Sequence, residues 1–163
     1  EGVLKRIRGT PMPAGAYLAG IIGSATLNAL LQVALVVVIG NLVYGVDWPQ
    51  DPLLLAGFTV LGVVCFASLG VAFAQAIPSE EAAPAYTNAI FLPLIFISGV
   101  FYSADDLPEA LKTIAEALPL KHLIDGLSEA IVGGGRDAGI AALIVAAWAA
   151  AGLFLAVRYF RWE

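Results

Sequence analysis

Polar and apolar positions along this chain fall into blocks. Four stretches, Tyr17 to Tyr44, Leu53 to Ile77, Ala85 to Phe101 and Ile140 to Val157, contain no Asp, Glu, Lys, Arg or His. They run from about 17 to 28 residues. A hydrocarbon core of roughly 30 Å needs about 20 apolar residues at about 1.5 Å rise each. The pattern therefore predicts four transmembrane helices, at about 17–44, 53–77, 85–101 and 140–157. Spans empty of ionisable residues also have no side chain to serve as an intramembrane proton relay, so a transporter built from them needs an outside energy source.

Between the third and fourth spans the period changes. Leu107, Leu111, Ile114 and Leu118 form one apolar helical face, Asp106-Leu107-Pro108-Glu109 resembles a capping box, and Pro119 ends that helix. Leu120, Leu123, Ile124, Leu127 and Ile131 then line a second face, with Lys121, Asp125, Ser128 and Glu129 largely opposite. Each helix is about 12 residues, roughly 18 Å, too short to span. The expectation is a helical hairpin at about 107–132 that rests in the outer interface or dips into the outer leaflet, closed by Gly133-Gly134-Gly135. At the other end of the chain, Val3, Leu4 and Ile7 share a face beside Lys5, Arg6 and Arg8, which predicts a short basic amphipathic helix on the inner membrane surface. Gly9-Thr10-Pro11-Met12-Pro13 stops it. The fold class is all-α: a polytopic membrane protein with a cytoplasmic segment at 1–13 and a transmembrane domain at 14–163.

Charge sets the expected orientation. Lys5, Arg6 and Arg8 precede the first span, Arg158 and Arg161 follow the last, and no Lys or Arg occurs between Arg8 and Lys112. The positive-inside rule places both termini in the cytoplasm, with the chain multi-pass in the cell (inner) membrane. The inner segments then hold five basic residues against Glu1, Glu80, Glu81 and Glu163, while outside Lys112, Lys121 and Arg136 face nine acids. In the inner turn, Ser79 is expected to cap the third span, with Glu80 and Glu81 in its first turn where the helix dipole favours acids.

Composition adds mainly exclusions. At 60% hydrophobic and 13% charged, the 163 residues fit four spans and a structured loop, with no room for a soluble catalytic domain. No nucleophile motif, metal motif or phosphate loop occurs, so no catalytic or metal-binding residue is assigned and the chain is not expected to be an enzyme. His122, the only histidine, sits beside Lys121 and Asp125 as a surface residue. A sequence pI of about 4.7 disfavours nucleic acid as a partner.

Two features of the spans carry functional candidates. Ala16, Gly20, Ser24, Asn28 and Gln32 recur every four residues, which lays small and amide side chains on one face of the first span. That face either packs against other helices or lines a transport path. In the third span Pro93 removes a backbone hydrogen bond, marking either a static bend or a hinge together with Ser98 and Gly99.

The string Glu1-Gly2-Val3-Leu4-Lys5-Arg6-Ile7-Arg8-Gly9-Thr10-Pro11-Met12-Pro13 ahead of a span resembles the cytoplasmic coupling segment of type-2 ABC exporter permeases, the family that includes daunorubicin-resistance-like permeases. Asn88 through Pro93 to Ser98-Gly99-Val100-Phe101-Tyr102 resembles that family's fifth span, followed by Leu107-Pro108 and Pro119-Leu120 in its outer helical pair. Arg158-Tyr159-Phe160-Arg161-Trp162 is similar to its usual ending. The resemblance implies the C-terminal four-span portion of a six-span permease. It implies a second permease copy as dimer partner and a separate cytoplasmic ABC ATPase that supplies ATP and Mg, since the chain itself binds no cofactor. It also implies that Val3, Leu4, Lys5, Arg6, Ile7, Arg8, Thr10 and Pro11 contact that ATPase. An ion-coupled secondary transporter or channel, using Ser, Thr, Asn and backbone carbonyls, is one alternative, and a non-transporting membrane scaffold subunit is another.

Overall fold

A computed structural model describes residues 14–79, 81–97, 109–135 and 137–159. Six α-helices follow in order: α1 (Ala14–Tyr44), α2 (Pro52–Ala74), α3 (Ala83–Ile97), α4 (Glu109–Ala117), α5 (Pro119–Val132) and α6 (Ala138–Tyr159), with no strand among the described residues. The chain is an all-α polytopic membrane protein. Three segments are long and apolar enough to cross a membrane: Ala19–Tyr44 in α1, Pro52–Ala74 as the whole of α2, and Ala138–Arg158 in α6. The fourth expected span, α3, has 15 described residues. At about 1.5 Å each that is roughly 22 Å, short of the core. The rest of that expected span, 98–101, lies outside the described residues, as do the segment 1–13 and the capping box at Asp106.

Local chemistry sets the helix ends. Asp51 Oδ1 accepts from the N–H of Leu54 at 2.9 Å, and Pro52 follows it at the first helical position, so α2 starts one residue before the apolar run. Asp137 Oδ1 accepts from Ile140 N at 3.1 Å, which draws the start of α6 back to Ala138. At the other end of α2 the helix stops at Ala74, and 75–77 form a turn rather than the last turn of a span. Ser79 Oγ accepts from Ala82 N at 3.3 Å, ahead of α3. No acid lies in the first turn of α3: Glu81 belongs to the preceding turn, which corrects its expected place inside the helix. Pro119 has a double effect. It holds Leu118 in extended backbone, φ −88 and ψ 141, which ends α4, and its own preset φ opens α5.

The packing centre is the crossing of α2 with α6, the most extensive helix pair among the described residues. Cys65, Val145 and Ala149 are buried there, with Leu61, Val64, Phe66, Leu69 and Leu123 packed around them. Small residues bring the two backbones together. Ser68 Oγ donates to the carbonyl of Cys65 at 2.9 Å and lies 3.5 Å from that of Ala149, while Gly152 abuts Ser68 and the backbone of Leu69. α1 contacts chiefly α2, and α3 joins the rest chiefly through α4.

Candidate functional site

The hairpin α4–α5 does not lie flat on the end of the bundle. α5 enters the groove between α2 and α6, and three contacts fix its depth. At the loop end, Asp51 N donates to the carbonyl of Ala130 at 3.0 Å, and Gln50 Nε2 donates to that of Val132 at 2.6 Å. Further in, Gly126 lies directly under the ring of Phe58, with no room for a Cβ between them. Deeper still, Leu123 covers Gly62, which lies about 15 Å along α2 from Pro52 at roughly 1.5 Å per residue. The tip is held from the other side: Trp148 Nε1 donates to the carbonyl of Ala117 at 3.0 Å, at a point about 15 Å along α6 from Ala138. The α4–α5 junction therefore lies alongside the middles of α2 and α6, about 15 Å from where those helices begin.

This packing changes the surroundings of three residues. Lys121 and Asp125 form an ion pair of 2.8 Å on the face of α5 turned away from the Leu123, Gly126 and Ala130 contacts, with about a quarter to a third of each side chain exposed. His122 donates from Nε2 to the carbonyl of Glu116 at 2.8 Å, which puts its proton on that nitrogen. Read along the sequence, these are residues of a loop hairpin; in space, they lie on a helix packed between α2 and α6. The expected surface histidine is half-buried at the level of the spans.

An open groove of about 350 Å³ lies against this face, lined by Lys121, His122, Asp125, Asp137, Ile140 and Ala141. A second cavity, of about 340 Å³, lies between α1 and α2 under Trp48 and Pro52, and its side chains are almost wholly apolar. Among the described residues no cluster of His, Cys, Asp and Glu is arranged to hold a metal ion. The arrangement contains donors and acceptors that can pass or hold a polar group, and no nucleophile and base held together.

The other candidates fall differently. Gly20, Ser24, Asn28 and Gln32 all lie on exposed faces of α1, with Asn28 Nδ2 bonded to the carbonyl of Ser24 within its own helix at 3.1 Å. The described helices leave that polar stripe uncovered. Pro93 lies inside α3, which continues through it to Ile97. Ser98, Gly99 and the coupling residues Val3, Leu4, Lys5, Arg6, Ile7, Arg8, Thr10 and Pro11 lie outside the described residues. The sequence reading missed that the helix carrying Lys121 and Asp125 packs between α2 and α6. One signal was present: Trp148 places an N–H inside an apolar span, and such a donor calls for an acceptor from another element.

Comparison with known proteins fits this architecture. The family model described as ABC-2 type transporter matches residues 1–132. Nodulation protein J of Rhizobium leguminosarum bv. viciae is 36% identical over 70 residues, covering 43% of this chain and 27% of the relative. The linearmycin resistance permease protein LnrN of Bacillus subtilis (strain 168) is 26% identical over 138 residues, 83% of this chain and 35% of the relative. The daunorubicin resistance ABC transporter permease protein DrrB1 of Streptomyces coeruleorubidus is 29% identical over 172 residues, 99% of this chain and 58% of the relative. The chain thus spans between about a quarter and three fifths of the length of these relatives. No solved structure matches it. With three apolar membrane helices, an inserted hairpin and a family match over residues 1–132, the chain belongs to the ABC-2 type transporter family.

Proposed function

We propose that this chain is part of the permease of an ATP-binding-cassette exporter, moving substrate outward across the cell (inner) membrane with ATP and Mg handled by a separate cytoplasmic ATPase. In this proposal two permease copies associate, both termini face the cytoplasm, and the hairpin end of the bundle faces outward. Val3, Leu4 and Ile7 fill a groove on the ATPase, and Lys5, Arg6 and Arg8 orient the encounter. Thr10 and Pro11 carry the displacement into α1 through a donor-poor turn.

The observation that carries the proposal is the family match, which begins at residue 1 and so includes the basic amphipathic segment along with the helices. The absence of ionisable side chains from the described parts of α1, α2 and α3 also favours a motor outside the membrane. In the full-length permease co-expressed with its ATPase, Leu4→Asp with Ile7→Asp is expected to abolish ATPase co-purification or to uncouple hydrolysis from export while insertion persists. Normal co-purification with undiminished ATP-driven export would refute the coupling role. Cysteines at Gly2 and Gly134 are expected to label from opposite sides, the first from the cytoplasm, and labelling from the same side would refute the orientation.

A further inference from the structure

The last turn of a helix leaves its carbonyls without donors of their own, and at the end of α5 another element serves them. The N–H of Gly133 closes the last bond within the helix, to the carbonyl of Glu129 at 2.9 Å. The next three carbonyls accept from the loop that precedes α2: Ala130 from Asp51 N at 3.0 Å, Ile131 from Gln50 N at 3.3 Å and Val132 from Gln50 Nε2 at 2.6 Å. Asp51 turns its other polar groups the opposite way. Its carboxylate accepts from Leu54 N at 2.9 Å and its carbonyl from Leu55 N at 3.0 Å, at the opening of α2. One residue therefore closes the end of α5 with its N–H and starts α2 with its oxygens. It does both from extended backbone, φ −129 and ψ 91, and Pro52 holds it there by disfavouring the helical region for the residue before it. Beyond α5 the chain passes to α6 through Gly133, Gly134 and Gly135, at φ 72, 136 and 76, where a backbone without Cβ has the most freedom.

We propose that Asp51 is a joint that makes the end of α5 and the start of α2 one unit, so that a displacement of either carries the other while the glycine run absorbs the change relative to α6. The inference goes beyond the exporter proposal and does not depend on it. If Asp51 leaves its place, the carbonyl of Ala130 and the amides of Leu54 and Leu55 lose their partners at once. A loss shared in this way makes the two helix ends open together, whereas independent caps would open one at a time.

The test is amide hydrogen exchange, read residue by residue on the full-length permease. Asp51→Ala removes only the carboxylate, whose direct partner is Leu54. It is expected to speed exchange about fivefold at Leu54, and by a similar factor at the amides of residues 50, 51 and 133 on the α5 side of the joint. Asp51→Asn, which still caps, is expected to stay within about twofold of wild type at all four amides. In the reverse direction, Gln50→Leu removes the bond to Val132 and is expected to speed exchange at Leu54, although the acceptor of that amide is untouched. Faster exchange at Leu54 alone in Asp51→Ala would overturn the joint. Faster exchange at residues 50 and 51 with Leu54 unchanged in Gln50→Leu would overturn it equally. Export enters neither measurement, so failure of the exporter proposal leaves the result standing.

Discussion

The indole N–H of Trp148 and the carbonyl of Ala117 meet at 3.0 Å across 31 residues of sequence, joining the middle of the last span to the tip of the inserted hairpin. Ala117 is the last residue of α4, where helix carbonyls lose their intrahelical donors, so the indole satisfies an acceptor left open at the helix end. Trp148→Phe keeps the ring and removes the donor. It is expected to destabilise the detergent-solubilised permease by about 1 kcal/mol, measured by thermal unfolding. An unchanged midpoint would show that water replaces the bond without loss.

Gly126 packs directly against the ring of Phe58, with no room for a Cβ. Gly126→Val forces the ring aside and is expected to cost about 1–3 kcal/mol through overpacking. Phe58→Ala opens a cavity and costs about 3–5 kcal/mol by itself. The double variant should be less destabilised than the sum of the singles, because the valine fills space the ring has left. A denaturation cycle measures this, and strict additivity would mean that the two side chains do not share that space.

Gly133 ends α5 at φ 72 and ψ −168, a conformation open almost only to glycine, and a Cβ there would meet the amide of Gln50. Gly133→Ala is expected to cost about 1–3 kcal/mol in backbone strain and to displace Gln50 from Val132. Hydrogen exchange at the amides of Gln50 and Asp51, which donate to Ile131 and Ala130, should rise in the variant if the hairpin loosens at this end. Gln50→Leu should give faster exchange at the same two amides without the backbone term.

Gly152 sets how closely α6 approaches α2. A Cβ there would lie 2.5 Å from Ser68 Oγ and 3.0 Å from the backbone nitrogen of Leu69, and backbone cannot move aside as a side chain can. Gly152→Ala is expected to destabilise by about 1–3 kcal/mol, whereas Gly70→Ala, with nothing within 4 Å of its added methyl, should be neutral or slightly stabilising. Thermal unfolding of the two side by side checks whether the crossing or helix propensity governs.

Helix formation and membrane character are written in the sequence itself. Long charge-free runs cannot be hydrated, and in lipid a helix satisfies its own backbone, so α1, α2 and α6 follow from composition and length. Their ends needed finer signals: Asp51 with Pro52, and Asp137, moved two starts outward from the edges of the apolar runs, while the run up to Ile77 overshot a helix that stops at Ala74. Segment periodicity also specified two short amphipathic helices broken at Pro119. It could not say which surface their apolar faces meet, because an interface and a groove between spans present the same hydrophobic demand to a single helix. Tertiary structure decided that through shape. Gly126 and Gly62 remove side chains where Phe58 and Leu123 need space, Trp148 supplies a donor at mid-span, and Gln50 and Asp51 bind the other end. The outcome set Lys121, His122 and Asp125 on a helix packed between α2 and α6. Where a side chain lies depends on which distant residues meet, so it is not fixed by position along the chain.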